Sequence, residues 1–172
     1  MNIKLLFDKI CLQTKEKKQY IQPIILSVCI ILLSFYISTN WYQLILIHGE
    51  SMSPSYHNMQ LVIINKYFKN YTYGDVIAFQ CEGLNTILIK RIVACPGDKV
   101  QIQEGQLYVN DEISNVYPLD TFAYAGIAEN TILLEDGQYF VIGDNIAQSK
   151  DSRYSEVGCV SKVTILGVVL FS

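Results

Sequence analysis

Between Tyr20 and Ile47 the chain carries no charged residue, and beyond that stretch its apolar positions come in short runs broken by polar ones. The first pattern predicts one membrane-crossing helix over residues 20–39 (YIQPIILSVCIILLSFYIST), since about 20 apolar residues suffice to cross a bilayer core. Pro23 falls in the first turn of that span, where a missing N–H costs little, and Trp41 with Tyr42 sits where an interfacial aromatic belt would lie. After the span, the runs are rich in β-branched and aromatic residues, are punctuated by Gly, Asn and Asp, and include no long stretch at helical period. They predict strands over 43–47, 60–67, 75–80, 86–94, 99–103, 106–110, 131–134, 138–144 and 163–171, with a hairpin about Glu104–Gly105 that buries one face. From Glu112 to Asn130 the pattern weakens into a long connection. The expected fold is mostly β: a short N-terminal segment (1–19), a membrane helix (20–39) and a β-rich domain (40–172).

Composition and charge sharpen this division. Hydrophobic residues make up 51% of the chain and charged residues 17%, an apolar balance that the 20–39 run concentrates in one place. Lys4, Lys9, Lys15, Lys17 and Lys18 against Asp8 and Glu16 give residues 1–20 a charge of +3, so the chain total of −3 leaves −6 for the remainder. Lysines ahead of the span place the N-terminus in the cytoplasm and the β-rich domain outside. The apolar run is too long for a cleaved leader, and no small-x-small site lies between it and the Gly49–Ser55 segment, so a retained anchor is expected. A mildly acidic remainder without a dense cationic face excludes nucleic acid as a partner.

The five cysteines (Cys11, Cys29, Cys81, Cys95 and Cys159) include no CxxC pair. With only His48 and His57 beside them, a metal site is not expected, and small buried thiols are the simplest reading.

Three segments carry polar groups that a strand-rich core does not require. Gly49-Glu50-Ser51-Met52-Ser53-Pro54-Ser55 follows an apolar strand and is suited to expose a serine hydroxyl beside free backbone N–H groups that can hold an oxyanion. His48 and His57 flank it, but no acid at a recognisable spacing would orient either in a triad. In 86–94, alternation sets Leu88, Lys90 and Ile92 on one face and Ile87, Ile89, Arg91 and Val93 on the other, so Lys90 stands in an apolar row. An ordinary lysine is neutral in only about one molecule in a few thousand at pH 7, whereas a desolvated one can act as a base. The third segment, Gly143 to Gly158, is dense in hydrogen-bonding and charged groups and suits a polar cluster that supports a site or a solvated loop.

Together, and in this order behind one anchor, these segments resemble the type I signal peptidase family. The family's Ser-Met-x-Pro-Thr run appears as Ser51-Met52-Ser53-Pro54-Ser55. Its Lys-Arg-hydrophobic-x-x-x-Pro-Gly-Asp run appears as Lys90 through Asp98, and its glycine-aspartate box as Gly143-Asp144-Asn145 followed by Ser149-x-Asp151-Ser152-Arg153. Gly74-Asp75-Val76 matches the remaining box, and the resemblance spans residues 20 to about 168. It implies an antiparallel β-sheet catalytic domain in which Ser51 is the nucleophile and Lys90 the general base. Ser149 would orient the lysine amine, and Asp151 with Arg153 and Arg91 with Asp144 would brace the site. Gly49 occupies the position in or near the oxyanion hole, which would then combine the Ser51 N–H with a second backbone donor, and Met52 would contact substrate.

The resemblance further implies a single-pass protein of the bacterial plasma membrane that cleaves signal peptides from exported preproteins after small residues in an Ala-x-Ala pattern. The lipid bilayer is its other partner, and the dyad requires no cofactor or metal. Ser55 replaces the usual threonine, Ile146 stands where arginine is frequent, and the 112–130 insert is short, which bears on substrate preference. Two other readings share the fold: a dedicated protease that matures a pilus or conjugation protein, and a non-catalytic membrane-anchored binding module.

Overall fold

The computed structural model describes residues 3–117 and 121–171. It divides into two compact units, Met1–Asn40 and Trp41–Ser172.

The described part of the first unit is helical, within α1, which runs from Ile3 to Trp41. It starts well before the apolar run, so Pro23 is interior to it and not in a first turn. The reason lies upstream: residues 3–22 contain neither Gly nor Pro and are rich in Lys, Leu, Glu and Gln, which lose little on entering a helix. Ile21–Trp41, 21 residues, is long and apolar enough to cross a membrane. Large apolar side chains such as Ile24, Leu26, Ile31 and Phe35 are exposed along it, so it is apolar all round and does not show the single stripe of a surface helix.

The second unit contains eleven strands among the described residues: β1 (Tyr42–Leu46), β2 (Leu61–Asn65), β3 (Val76–Cys81), β4 (Thr86–Ala94), β5 (Lys99–Gln103), β6 (Gln106–Val109), β7 (Glu112–Ile113), β8 (Ile132–Leu133), β9 (Gln138–Ile142), β10 (Val160–Ser161) and β11 (Ile165–Phe171). All pairings are antiparallel. One sheet has the order β1-β2-β11-β3-β4-β9-β10 and the other β7-β6-β5-β8. The mostly-β expectation holds, and each of the nine predicted strands appears. β7 and a 3₁₀ turn over Gly126–Glu129 subdivide the expected 112–130 connection, whose residues 118–120 lie outside the described set. The last strand opens at Ile165 and not 163, after a 3₁₀ turn over Lys162–Thr164.

Strand sequences follow their positions in the sheet. Central β3 lies between β11 and β4 and is apolar at consecutive residues because Val76 through Phe79 are all buried. β2 is at a solvated face and alternates, with Val62 and Ile64 buried and Leu61 and Ile63 exposed. The β5–β6 hairpin turns on Glu104 and Gly105, both at positive φ, as a two-residue turn requires. Three apolar clusters hold the domain together. One lies between the small sheet and β9, around Leu107, Phe122 and Phe140. A second is centred on Ile77, Phe79 and Val141. The third, around Met52, Ile64, Ala78 and Ile89, fastens the segment after β1 to the large sheet.

Candidate active site

Ser51 stands on the 47–60 loop between β1 and β2. The base of that loop is closed by two backbone bonds, Ile47 N–H to the Gln60 carbonyl at 2.9 Å and Met59 N–H to the Ile47 carbonyl at 2.8 Å. Met52 is buried in the third cluster, so the residue beside the serine is a core anchor that pins the loop from below. Gly49, at φ 90°, gives its N–H to Asn58 Oδ1 at 2.9 Å. That donor is therefore occupied, while the Ser51 N–H makes no hydrogen bond among the described residues.

Lys90 stands on β4 opposite Ile77 of β3 and is 2% exposed. Its Nζ donates to Ser51 Oγ at 2.7 Å and to the Ile89 carbonyl at 3.0 Å. Burial pulls the Lys90 ammonium down from 10.5 to about 8, against the attraction of Asp151 and Asp144. At pH 7 about one molecule in ten then carries a neutral amine, some 300-fold more than an ordinary lysine allows.

The glycine-aspartate segment closes over this pair. Asn145 N–H donates to the Ser51 carbonyl at 3.0 Å. A side chain at residue 143 would run into both the Ser51 carbonyl and the Ser149 hydroxyl, so this close approach admits only glycine. Ser149 is buried here, but its Oγ has no hydrogen-bond partner among the described residues. The bond expected from Ser149 to the lysine is thus not formed in this arrangement: the Lys90 amine is turned to Ser51 and to its own strand's carbonyl.

Two ion pairs flank the site. Asp151 and Arg153 are buried, with Arg153 Nε on Asp151 Oδ1 at 2.8 Å and Nη2 on Oδ2 at 2.9 Å. Remaining donors and acceptors are used by the Gly143 N–H to Asp151 and by Arg153 to the carbonyls of Ile146 and Ser149. A buried pair satisfied in this way avoids the cost of unpaired charge and ties residues 143–149 into one rigid turn. Arg91 grips Asp144 through Nε at 2.8 Å and Nη2 at 2.5 Å, and gives Nη1 to the Gly74 carbonyl at 2.8 Å. Partial burial pushes the Asp144 carboxyl up, yet its hydrogen bonds with Arg91, Ser55 and Tyr117 hold it below the usual range. Burial and the neighbouring Asp144 raise the Tyr117 hydroxyl.

Sequence reasoning named both ions of each pair but missed Tyr117, whose hydroxyl donates to Asp144 at 3.0 Å, and Asn58, which occupies the Gly49 N–H. Tyr117 lies in the patternless 112–130 connection, and nothing local distinguishes it from a surface tyrosine. His48 and His57 are both exposed, and neither has a side-chain hydrogen bond or an ion pair to a carboxylate among the described residues. Cys29, Cys81, Cys95 and Cys159 are free thiols, of which only Cys81 is fully buried, and burial raises the thiols of Cys95 and Cys159.

Beside the Ser51–Lys90 contact runs a cleft of about 370 Å³, walled by Ile45–His48 on one side and Thr86–Lys90 on the other, with Ser51 and Met52 at its end. Among the described residues both walls include strand edges without a partner: β1 pairs with β2 alone, and β4 meets β9 from Arg91 onward. Unpaired edges of this kind can accept an extended peptide as an added strand.

Comparison with known proteins gives the family. The family model for signal peptidase, peptidase S26, matches residues 18–172. A signal peptidase I P of Bacillus subtilis subsp. natto is 30% identical over 95% of this chain and 92% of its own. A signal peptidase I U of Bacillus subtilis is 31% identical over 90% and 88%. A crystal structure of a signal peptidase I from Enterococcus faecalis, 26% identical, covers 59% of this chain and 97% of its own with a TM-score of 0.48. With a helix followed by antiparallel sheets, and a family match over nearly its whole length, the chain belongs to the signal peptidase family, peptidase S26, and is a signal peptide-cleaving peptidase.

Proposed function

We propose that this chain is a membrane-anchored signal peptidase I that cleaves exported preproteins with a Ser51–Lys90 dyad, after small residues in an Ala-x-Ala pattern. The observation that carries the reading is the 2.7 Å contact between Lys90 Nζ and Ser51 Oγ in an enclosure that leaves the lysine 2% exposed. Ser51 Oγ attacks the scissile carbonyl while neutral Lys90 takes the hydroxyl proton. The oxyanion forms beside the free Ser51 N–H, and a second backbone donor completes the hole. As the tetrahedral carbon collapses, the Lys90 ammonium returns the proton to the departing amine and leaves an ester on Ser51. Lys90 then deprotonates water, which attacks the ester and frees Ser51.

While protonated, Lys90 has three donors and two partners, the Ser51 hydroxyl and the Ile89 carbonyl. The unpartnered Ser149 Oγ, on the same glycine as the Ser51 carbonyl, is the acceptor suited to the third. Arg91–Asp144 and Asp151–Arg153 brace the loops that meet at Gly143. Substrate enters as a strand between the open edges of β1 and β4, with Met52 at the end of the cleft.

Ile21–Trp41 anchors the protein, spanning about 31 Å as a helix, with the basic N-terminus in the cytoplasm. Ile45, on the cleft wall, follows Trp41 by only four residues, a short tether between the span and the site. A site tethered there meets preproteins held in the same bilayer by their own apolar segments, which raises their effective concentration.

The test is cleavage of an Ala-x-Ala preprotein by detergent-solubilised full-length chain, with Ser51→Ala and Lys90→Ala beside it and the fold checked by circular dichroism. Wild type cleaves, both variants lose cleavage, and the wild-type rate rises with pH, half-maximal near 8 and level about one unit higher. Cleavage by folded Lys90→Ala refutes the base, and no cleavage by wild type refutes the general role.

A further inference from the structure

Ser51 lines the cleft that the proposed function uses, and Ser53 and Pro54, two and three residues further along the chain, line a second depression. Sharing no lining residue with the β1–β4 cleft, this trough of about 620 Å³ has walls that include Ser53, Pro54, Asn145, Ala147, Tyr124 and Tyr154. Both walls are tied to the serine: Ser53 and Pro54 follow it in the chain, and the Asn145 N–H holds its carbonyl. At Ala123 and Tyr124 the trough meets another depression of about 680 Å³, which runs out along Gln103–Gly105 beside the β5–β6 turn.

The meeting point is braced from beneath. The rings of Tyr124 and Tyr154 lie 4.8 Å apart at 37°, and Tyr124 is 48% exposed. Their backbone is fastened to the buried ion pair, since Arg153 Nη1 donates to the Tyr124 carbonyl at 3.4 Å and the Ile127 N–H to the Arg153 carbonyl at 2.9 Å. Gly126, at φ 58°, presses against that same carbonyl so closely that a Cβ would collide with it. The same Asp151–Arg153 pair that supports the loop over Lys90 thus fixes an exposed aromatic shelf.

An endopeptidase holds a chain that continues past the bond it cuts, and at about 3.3 Å per residue the continuing segment must cross the surface beside the serine. The trough's charged groups, Asp144 and Arg153, are spent in ion pairs. What remains is neutral polar surface and two ring faces, which suits an extended uncharged peptide with a planar or apolar side chain.

We infer that this trough seats the first residues on the C-terminal side of the scissile bond, in extended form, and that the Tyr124–Tyr154 shelf makes the enzyme sensitive to their identity. The inference rests on the signal-peptidase reading and on substrate entering through the β1–β4 cleft. Two substrates test it, both with the same signal sequence and Ala-x-Ala site: one ends a single residue after the cut, and the other carries about eight further uncharged residues, enough to reach along the trough.

Detergent-solubilised full-length wild type and Tyr124→Phe cleave the long substrate with kcat/KM about tenfold above the short one. In Tyr124→Ala, and in Tyr124→Leu, which keeps bulk without a planar ring, that ratio falls toward one while the thermal midpoint stays near wild type. Equal kcat/KM for both lengths in wild type overturns the inference alone, as does a ratio preserved in a folded Tyr124→Ala or Tyr124→Leu. Failure of wild type to cleave either substrate overturns the signal-peptidase reading and the inference with it.

Discussion

Replacing Lys90 by methionine should abolish cleavage and reverse its effect on stability across the alkaline range. In the folded protein the lysine titrates near 8, against 10.5 for an ordinary lysine. The unfolded chain therefore binds more protons between those values, and folding stability rises with pH through that window. The difference of about 2.5 units corresponds to about 3 kcal/mol, present as a cost of burying charge below pH 8 and gone above pH 10.5. Methionine fills a similar volume without charge and removes that cost. It also loses the bonds to Ser51 Oγ and the Ile89 carbonyl, each worth about 1 kcal/mol net. The variant is then about 1 kcal/mol more stable than wild type at pH 7 and about 2 kcal/mol less stable at pH 11. Urea denaturation of the detergent-solubilised chain, followed by circular dichroism at a series of pH values, measures the difference. The hydrogen-bond losses cancel from its pH dependence, so the change of about 3 kcal/mol between pH 8 and 10.5 isolates the buried charge. A difference that stays flat across the window would refute the view that Lys90 is held in a desolvated site.

Two further substitutions probe the braces. Gly143→Ala puts a methyl group onto the Ser51 carbonyl and the Ser149 hydroxyl; it should cost about 1–3 kcal/mol in urea denaturation and lower kcat at least about 100-fold by displacing the nucleophile. Asp151→Asn leaves the Arg153 guanidinium buried without its counter-charge. It should lower stability by about 3–5 kcal/mol, and adding Arg153→Met should restore part of that loss; a double variant no better than the single one would argue against the buried pair as the cause.

Much of the fold was legible because the local patterns were strong. The central strands are apolar at nearly every position, and β4 and β5 fall within their predicted bounds because Pro96-Gly97 and Glu104-Gly105 interrupt the chain on either side of β5. The start of α1 was less legible, since a hydropathy pattern marks where a chain becomes apolar and not where its backbone begins to coil. The described part of 112–130 gave no periodic signal, since it is placed in part by contacts with the distant Asp144 and Arg153. Tyr117 packs against Phe122 and bonds Asp144, and the 3₁₀ turn over Gly126–Glu129 lies against Arg153.

The amino-acid order alone determined the class of the molecule. It shows one apolar helix, a β-rich remainder, and a serine, a lysine and a glycine-aspartate segment placed in sequence to identify the family. Those are properties of neighbouring residues, which spacing records. Tertiary structure decided which groups are within reach and which are spoken for. Ser51 and Lys90 are 39 residues apart and meet because the loop after β1 and strand β4 carry them to one enclosure. Gly49 keeps its place beside the serine, but its N–H is taken by Asn58, and Ser149 is buried beside the dyad with its hydroxyl unpaired. The basicity of Lys90 belongs to the same class of fact: a lysine's charge is written in the sequence, but the loss of solvent that makes it a base exists only once distant strands have closed around it.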